Sequence, residues 1–404
     1  MGGRWHGINR TLIRVAAIVG TAELGFATVI PLLPLYLKER LGASATLVGV
    51  VVATFAAVET VFKTTWGSLA DRIGRRPVIV GGLFLSSTAP ILMTLLRHPW
   101  LFVPLRLVDG MGSAALWPVA AAMMLDRADG EQRATAMGTL NMFFLSGLAL
   151  GPALGLFVAG YFGEYTFGFY LASVLLLTAA LFALAVFRDL DAPPRAVHRG
   201  ATEPSAIGFI QVVRASPWLL SMLFVAFVQM FGVGLLAPIL VIYAHEVVQL
   251  SDQLIGTLFL IMVLAVALAS VPGGRLADRV GRSRSVGWGM VAASCGMWLL
   301  PFAGRGNLPL LAVAALLLGG SYAISSPAWL ALMSETAPPG STGMVMGASE
   351  TAQGAGLVIG PLLGGILYDA LGPQAPFVGS AVLLSAGTIF AVTVLRRRQA
   401  SPLT

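Results

Sequence analysis

Charge is what this chain has least of. Only 11% of its 404 residues are Asp, Glu, Lys or Arg, while 57% are hydrophobic. Soluble globular proteins carry about 25% charged residues. So little polar surface cannot coat a water-facing globule, and the mean hydropathy of +0.86 points to lipid as the solvent. Cysteine is almost absent. Cys295 stands alone in an apolar stretch, which excludes an intramolecular disulfide and a thiolate metal cluster. The four histidines, His6, His98, His198 and His245, are scattered near segment ends without metal-ligand spacing. No Ser/His/Asp set, paired-carboxylate site, phosphate loop or ATP-binding domain stands out. The sequence therefore predicts no enzyme, no metal, no cofactor and no ATP hydrolysis within the chain. Lysine is scarce as well, with Lys38 and Lys63 the only two.

Long apolar runs are what the chain has in abundance. A bilayer core takes about 20 such residues per helix. Six are legible in the first half: Leu12–Leu37, Ala45–Trp66, Pro77–Leu96, Pro99–Leu125, Ala134–Tyr161 and Thr166–Phe187. Six more follow: Trp218–Ala244, Leu254–Pro272, Val286–Ala303, Leu308–Met333, Gly343–Tyr368 and Ala375–Leu395. They lack the alternation of barrel strands, so helices are expected. The first run is long and contains prolines, and it reads as an uncleaved span rather than a signal peptide. The expected fold class is an all-α polytopic membrane protein with twelve transmembrane helices.

Arginines set the orientation. With the N-terminus cytoplasmic, nineteen basic residues fall on the cytoplasmic side and four, Lys38, Arg40, Arg97 and Arg305, fall on outer loops. The remaining two, Lys63 and Arg106, lie inside spans. This positive-inside bias predicts both termini in the cytoplasm and a multi-pass protein of the inner (plasma) membrane. It also accounts for the net charge of +7 without a nucleic-acid partner. The longest hydrophilic stretch, residues 188–217, is expected to be a cytoplasmic linker between bundles at 1–187 and 218–404; its Ile207–Val213 piece is expected along the membrane surface.

The halves repeat. Gly25, Pro31, Tyr36 and Glu39 match Gly232, Pro238, Tyr243 and Glu246 at an offset of 207. Gly67, Leu69, Ala70, Asp71, Arg72, Gly74 and Arg75 match Gly274, Leu276, Ala277, Asp278, Arg279, Gly281 and Arg282 at the same offset. Pro118 matches Pro327, and Met137, Gly138, Gly147, Gly151, Pro152 and Gly155 match Met346, Gly347, Gly356, Gly360, Pro361 and Gly364, all at 209. Six helices per repeat is an even number, so the repeat is parallel, about an axis along the membrane normal. Such architecture places a substrate site near the midplane at the repeat interface and transports by rocking one half on the other.

Between spans 2 and 3 lies Gly67-Ser-Leu-Ala-Asp71-Arg72-Ile-Gly74-Arg75-Arg76, and between spans 8 and 9 Gly274-Arg-Leu-Ala-Asp278-Arg279-Val-Gly281-Arg282. The glycines permit a tight turn and close approach, and the acid can pair with bases or cap a helix. This resembles the signature loop of the major facilitator superfamily, and the resemblance extends over the whole chain. It implies a cytoplasmic latch made by Asp71, Arg72 and Arg75, with Asp126 as a partner. Span 5 carries Gly138, Gly147, Gly151, Pro152 and Gly155, with Leu156 where the family has another glycine. Span 11 carries the complete form, Gly347, Gly356, Gly360, Pro361, Gly364 and Gly365. Both resemble the motif of the superfamily's twelve-helix drug:proton antiporters, although glycines so spaced also serve simple close packing. Arg106-Leu-Val-Asp109-Gly110-Met-Gly112 resembles the family's span 4 motif, whose arginine is implicated in proton transfer.

A charge at the centre of a span costs roughly 2.5–3.5 kcal/mol on insertion scales. Glu23, Glu59, Lys63, Arg106, Asp109 and Glu350 incur that cost. Glu23 has no local base and suits a proton carrier or a cation site; it can equally be a neutral structural acid. Glu59 and Lys63 share one helix face and read as a structural pair. Arg106 and Asp109 are one turn apart, and Glu350 stands beside Gln353 on span 11. Trp117 and Trp329 flank Pro118 and Pro327 on spans 4 and 10, facing either a cavity or lipid. The leading expectation is alternating access by a monomeric, proton-coupled multidrug-efflux antiporter, exchanging hydrophobic or cationic amphipathic molecules for protons. A lipid or lysolipid flippase, a sugar or metabolite exporter, and a non-transporting receptor or scaffold are the alternatives.

Overall fold

A computed structural model describes residues 10–128, 132–187, 218–304, 307–337 and 341–400. The expected linker at 188–217 lies outside them. The described residues form an all-α polytopic membrane protein with twelve helices long and apolar enough to cross a membrane. Spans 1 to 6 are Arg10–Arg40, Ala45–Ile73, Arg75–Leu95, Pro99–Arg127, Thr135–Phe162 and Tyr165–Val186. Spans 7 to 12 are Leu219–Glu246, Asp252–Ala269, Arg282–Phe302, Leu308–Glu335, Gly343–Leu371 and Ala375–Thr393.

The interruptions have local causes. Span 4 breaks at Ala115, between helices Phe102–Ala114 and Leu116–Arg127. Pro118 has no N–H to donate to the carbonyl four residues earlier. Span 7 breaks likewise around Pro238, between Leu219–Leu236 and Ile239–Glu246. Span 1 contains Pro31 and Pro34 and ends in a π-helical turn, Tyr36–Arg40. The helices of spans 2 and 8 run on to Ile73 and Val280, past their apolar cores. They stop at Gly74 (φ 98°) and Gly281 (φ 100°), conformations that L-residues avoid.

The helices form two compact units. The first gathers the described residues of Met1–Ala43, Thr54–Val197 and Ser251–Gly256; the second gathers those of Ser44–Ala53, His198–Leu250 and Thr257–Thr404. In the first unit the closest helix pairs are spans 1 and 5, 1 and 6, and 3 and 6. In the second they are spans 7 and 11, 9 and 10, and 7 and 12. The first core is built around Ile18, Val19, Ile79, Leu83, Val119 and Leu140, and the second around Leu219, Met222, Met290 and Met333.

The opening turns of span 2 are fastened within the second unit. Asp369, in the last turn of span 11, accepts hydrogen bonds from the backbone N–H of Ala45 (3.1 Å) and Thr46 (2.7 Å) and from Thr46 Oγ1 (2.7 Å). It caps a helix start whose first amides have no intrahelical acceptor. Glycine makes the approach possible. A Cβ on Gly365 would collide with the Ala45 carbonyl, and one on Gly49 with the Pro361 carbonyl.

Candidate coupling site

The buried centre of the first unit is Arg106 and Asp109, on the first helix of span 4. Their Nη1 and Oδ2 atoms are 2.6 Å apart, and both residues are buried. Two other spans close around them. Ser86 Oγ of span 3 donates to the Asp109 carbonyl at 3.1 Å. The Phe55 ring of span 2 lies 3.9 Å from the guanidinium carbon, a cation–π contact. Small residues allow this: a Cβ on Gly110 would lie 2.9 Å from the Phe55 carbonyl, and one on Gly112 would strike Ser86 Oγ. Arg106 Nε and Asp109 Oδ1 have no hydrogen-bond partner among the described residues.

On span 2, Glu59 Oε1 and Lys63 Nζ are 3.0 Å apart, with side chains 27% and 41% exposed. On span 1, Glu23 is half-buried. Glu59 interacts electrostatically with Glu23 on one side and with Arg106 and Asp109 on the other, and Lys63 also acts on Glu23. Away from bulk water such interactions are far stronger than at a surface. The three features that sequence reading treated separately are thus one network across spans 1, 2 and 4. Three carboxyls and two bases leave it one negative charge when all are ionised. One proton or one monovalent cation neutralises it.

Span 5 presses its glycine face on the Glu23 turn. A Cβ on Gly147 would lie 2.9 Å from Glu23 Cβ and 2.8 Å from the Leu24 nitrogen. One on Gly151 would meet the Leu24 carbonyl at 2.8 Å, and one on Gly155 the Thr28 carbonyl at 2.7 Å. Gly356, Gly360 and Gly364 do the same against Phe227–Leu235 of span 7. Gly138 and Gly347 face open space, so they contribute nothing to this packing. Pro152 and Pro361 lie inside continuous helices.

The equivalent positions of the second half carry no charge. Applying the repeat offsets, Glu23, Glu59, Lys63, Arg106 and Asp109 become Met230, Val266, Ser270, Ala315 and Leu318. Glu350 is exposed and has no ion-pair partner among the described residues, and Gln353 bonds Ser349 at 3.1 Å. Trp117 packs edge-on against Phe144 at 4.9 Å, over the first core. Trp329 is buried within the second core.

At the Gly74 turn, Arg75 Nη1 and Asp126 Oδ2 are 2.5 Å apart. Asp71 and Arg72 are exposed. In the second unit Arg282 pairs with Glu335. Sequence reading missed Glu335, although it stands 209 residues after Asp126, the offset already measured for that span. Arg279 is exposed, and Gly274 and Asp278 are outside the residues whose side chains are described.

Helix count, helix pairing and duplicated turns define a polytopic helical membrane protein whose two halves repeat one plan. The model of the Major Facilitator Superfamily matches residues 15–243 and 222–404, and the chain belongs to that superfamily. Among curated relatives, multidrug resistance protein 2 of Bacillus subtilis is 26% identical, over 91% of this chain and 90% of its own length. Multidrug resistance protein MdtG of Klebsiella pneumoniae is 29% identical, over 92% and 90%. The class B tetracycline resistance protein of Escherichia coli is 28% identical, over 88% of each. Among solved structures, a bacterial homologue of the human lysosomal transporter Spinster shares the fold with a TM-score of 0.79 at 16% identity, covering 98% of this chain and all of that one. The family and fold are those of transporters rather than enzymes.

Proposed function

We propose that this protein is a monomeric, proton-coupled antiporter that exports hydrophobic or cationic amphipathic small molecules by alternating access. The carrying observation is the network of Glu23, Glu59, Lys63, Arg106 and Asp109, one charge short of neutrality. A proton and an organic cation are alternative ways to neutralise it, so binding one favours release of the other. That competition is the core of antiport. Glu23 carries the exchangeable proton in this reading, Glu59 links it to the buried pair, and Arg106 is the ion-pair partner of Asp109. The multidrug resistance relatives support the substrate class. The cytoplasmic latch consists of Arg75–Asp126 and Arg282–Glu335, with both termini on that side.

The energetics suffice. A proton crossing about 100 mV releases about 2.3 kcal/mol, and one pH unit adds about 1.4 kcal/mol. At one-to-one exchange for a neutral substrate this sustains a gradient of several hundredfold. The test is proton release from sealed proteoliposomes on adding hydrophobic cations, lysolipids or sugars. Wild-type protein releases protons with hydrophobic cations, and Glu23→Gln, which holds the network neutral, abolishes release and weakens cation binding. Flux indifferent to the pH gradient and to Glu23→Gln would refute the proposal.

A further inference from the structure

At the ends of spans 1, 3 and 6 remote from the Gly74 turn, the first unit holds a cavity of about 380 Å³. Small-ligand sites occupy roughly 300–1,000 Å³. The π-helical end of span 1 contributes Tyr36 and Arg40, the end of span 3 contributes Leu95 and Arg97, and the start of span 6 contributes Glu164 and Tyr165. Two arginines therefore line one small space at the ends of three spans. Neither Arg40 nor Arg97 has an ion pair or hydrogen bond among the described residues. Two neighbouring acids accept hydrogen bonds from hydroxyls of the same lining: Tyr165 Oη donates to Glu39 Oε2 at 2.8 Å, and Thr166 Oγ1 donates to Glu164 Oε2 at 3.0 Å. With Glu164 the lining retains one net positive charge, which suits a monoanion better than a dianion.

The surface beside the cavity is apolar in a particular way. Tyr161, Phe162, Phe167 and Tyr170 form an exposed ladder of rings whose centroids are 5.0, 4.4 and 6.2 Å apart in order. The ladder straddles the chain segment that lines the cavity. Exposed aromatic residues at span ends belong to the belt where a protein meets lipid headgroups and the first acyl carbons. Basic pockets between spans bind phosphate headgroups on the cytoplasmic side of membranes; Arg40 and Arg97 offer the same chemistry at the outer side, and the planar fork of arginine matches phosphate oxygens two at a time.

We propose that this cavity binds the headgroup of an anionic phospholipid, its phosphodiester held between Arg40 and Arg97 and its acyl chains lying along the Phe162–Phe167 ladder. A lipid so placed bridges the ends of spans 1, 3 and 6. The site is independent of the coupling network and of the transported substrate.

The test uses the full-length protein in neutral detergent, with native mass spectrometry for bound lipid and thermal unfolding for its effect. The probes are phosphatidylglycerol, phosphatidylcholine and inorganic phosphate. Phosphatidylglycerol is expected to remain bound and raise Tm, whereas phosphatidylcholine and phosphate do neither. Arg40→Gln/Arg97→Gln is expected to weaken phosphatidylglycerol binding by about thirtyfold, the effect of two basic groups at a membrane surface. Arg14→Gln, outside the cavity, leaves binding unchanged, and Glu164→Gln tightens it. Equal retention of phosphatidylcholine, or undiminished binding by the double variant, overturns the proposal. So does a Tm rise with phosphate alone, which would make the site one for free anions. If the double variant fails to fold, unchanged or weaker binding by Glu164→Gln overturns it.

Discussion

The span 5 motif offers one chemical change with opposite expected outcomes at two positions. Gly147→Ala and Gly138→Ala each add a single methyl group to the same helix. At Gly147 the new Cβ strikes the Gly20 carbonyl and lies 2.8 Å from the Leu24 nitrogen and 2.9 Å from Glu23 Cβ. Backbone cannot turn aside as a side chain can, so span 1 must retreat. Forcing a methylene into a well-packed contact costs about 1–3 kcal/mol, against a helix-propensity gain of about 1 kcal/mol. At Gly138 nothing lies within 4 Å, so only the gain remains. The two variants should differ by about 2 kcal/mol, Gly147→Ala unfolding at lower temperature and Gly138→Ala at the same or higher temperature than wild type. Gly356→Ala and Gly347→Ala repeat the contrast in the second unit, where the Gly356 Cβ would lie 2.6 Å from the Phe231 nitrogen. Thermal unfolding in one detergent measures all four. Gly147→Ala also displaces the Glu23 turn, so its proton release falls more than that of Gly356→Ala. Equal Tm shifts for Gly147→Ala and Gly138→Ala would refute close packing as the role of the motif.

Breaking the buried pair by Arg106→Ala or Asp109→Ala is expected to cost about 3–5 kcal/mol, because a lone buried charge remains. The double variant loses less than the sum, as a double-mutant unfolding cycle reads. Asp126→Asn and Glu335→Gln each remove an ion pair at a partly exposed site, worth about 0–1 kcal/mol. Their Tm values stay near wild type while transport slows; normal transport in both would deny these pairs a part in the cycle. Asp369→Ala removes the cap of span 2 and is expected to cost about 0.5–2 kcal/mol. Hydrogen exchange at the Ala45 and Thr46 amides rises selectively, while Asp369→Asn retains part of the protection.

Spans were legible because a bilayer demands length and apolarity, both of which one sequence displays. Their ends were less so. Gly67–Arg72 carries polar residues yet stays helical, and the helix stops only where Gly74 takes positive φ. Pairs within one helix, Glu59 with Lys63 and Arg106 with Asp109, followed from spacing of four and three residues. Their union with Glu23 did not. It depends on how each helix is rotated about its axis, and helices apolar on most faces leave that rotation to packing. Here glycines set it: Gly110 and Gly112 draw spans 2 and 3 onto span 4, and Gly147 and Gly151 draw span 5 onto span 1. Glu335 follows from the repeat, 209 residues after Asp126, but lies outside the Gly274–Arg282 motif, which therefore does not reveal it. Trp329 illustrates the same limit, since a tryptophan beside proline reads alike whether it faces a cavity, lipid or a core.

The one-sided placement of the charge network bears on how the protein is made. An ionisable residue opposes insertion by up to roughly 2.5–3.5 kcal/mol, most at the centre of a span, so the five within spans 1, 2 and 4 present a gross penalty of up to the order of 10 kcal/mol. Met230, Val266, Ala315 and Leu318 at the equivalent places carry no such penalty. The pairs Glu59–Lys63 and Arg106–Asp109 offset part of that penalty once the helices have formed. The cost of placing charge in the membrane is thus concentrated in the N-terminal half, and Lys63→Ala, which leaves Glu59 without its partner, is expected to lower the yield of inserted protein.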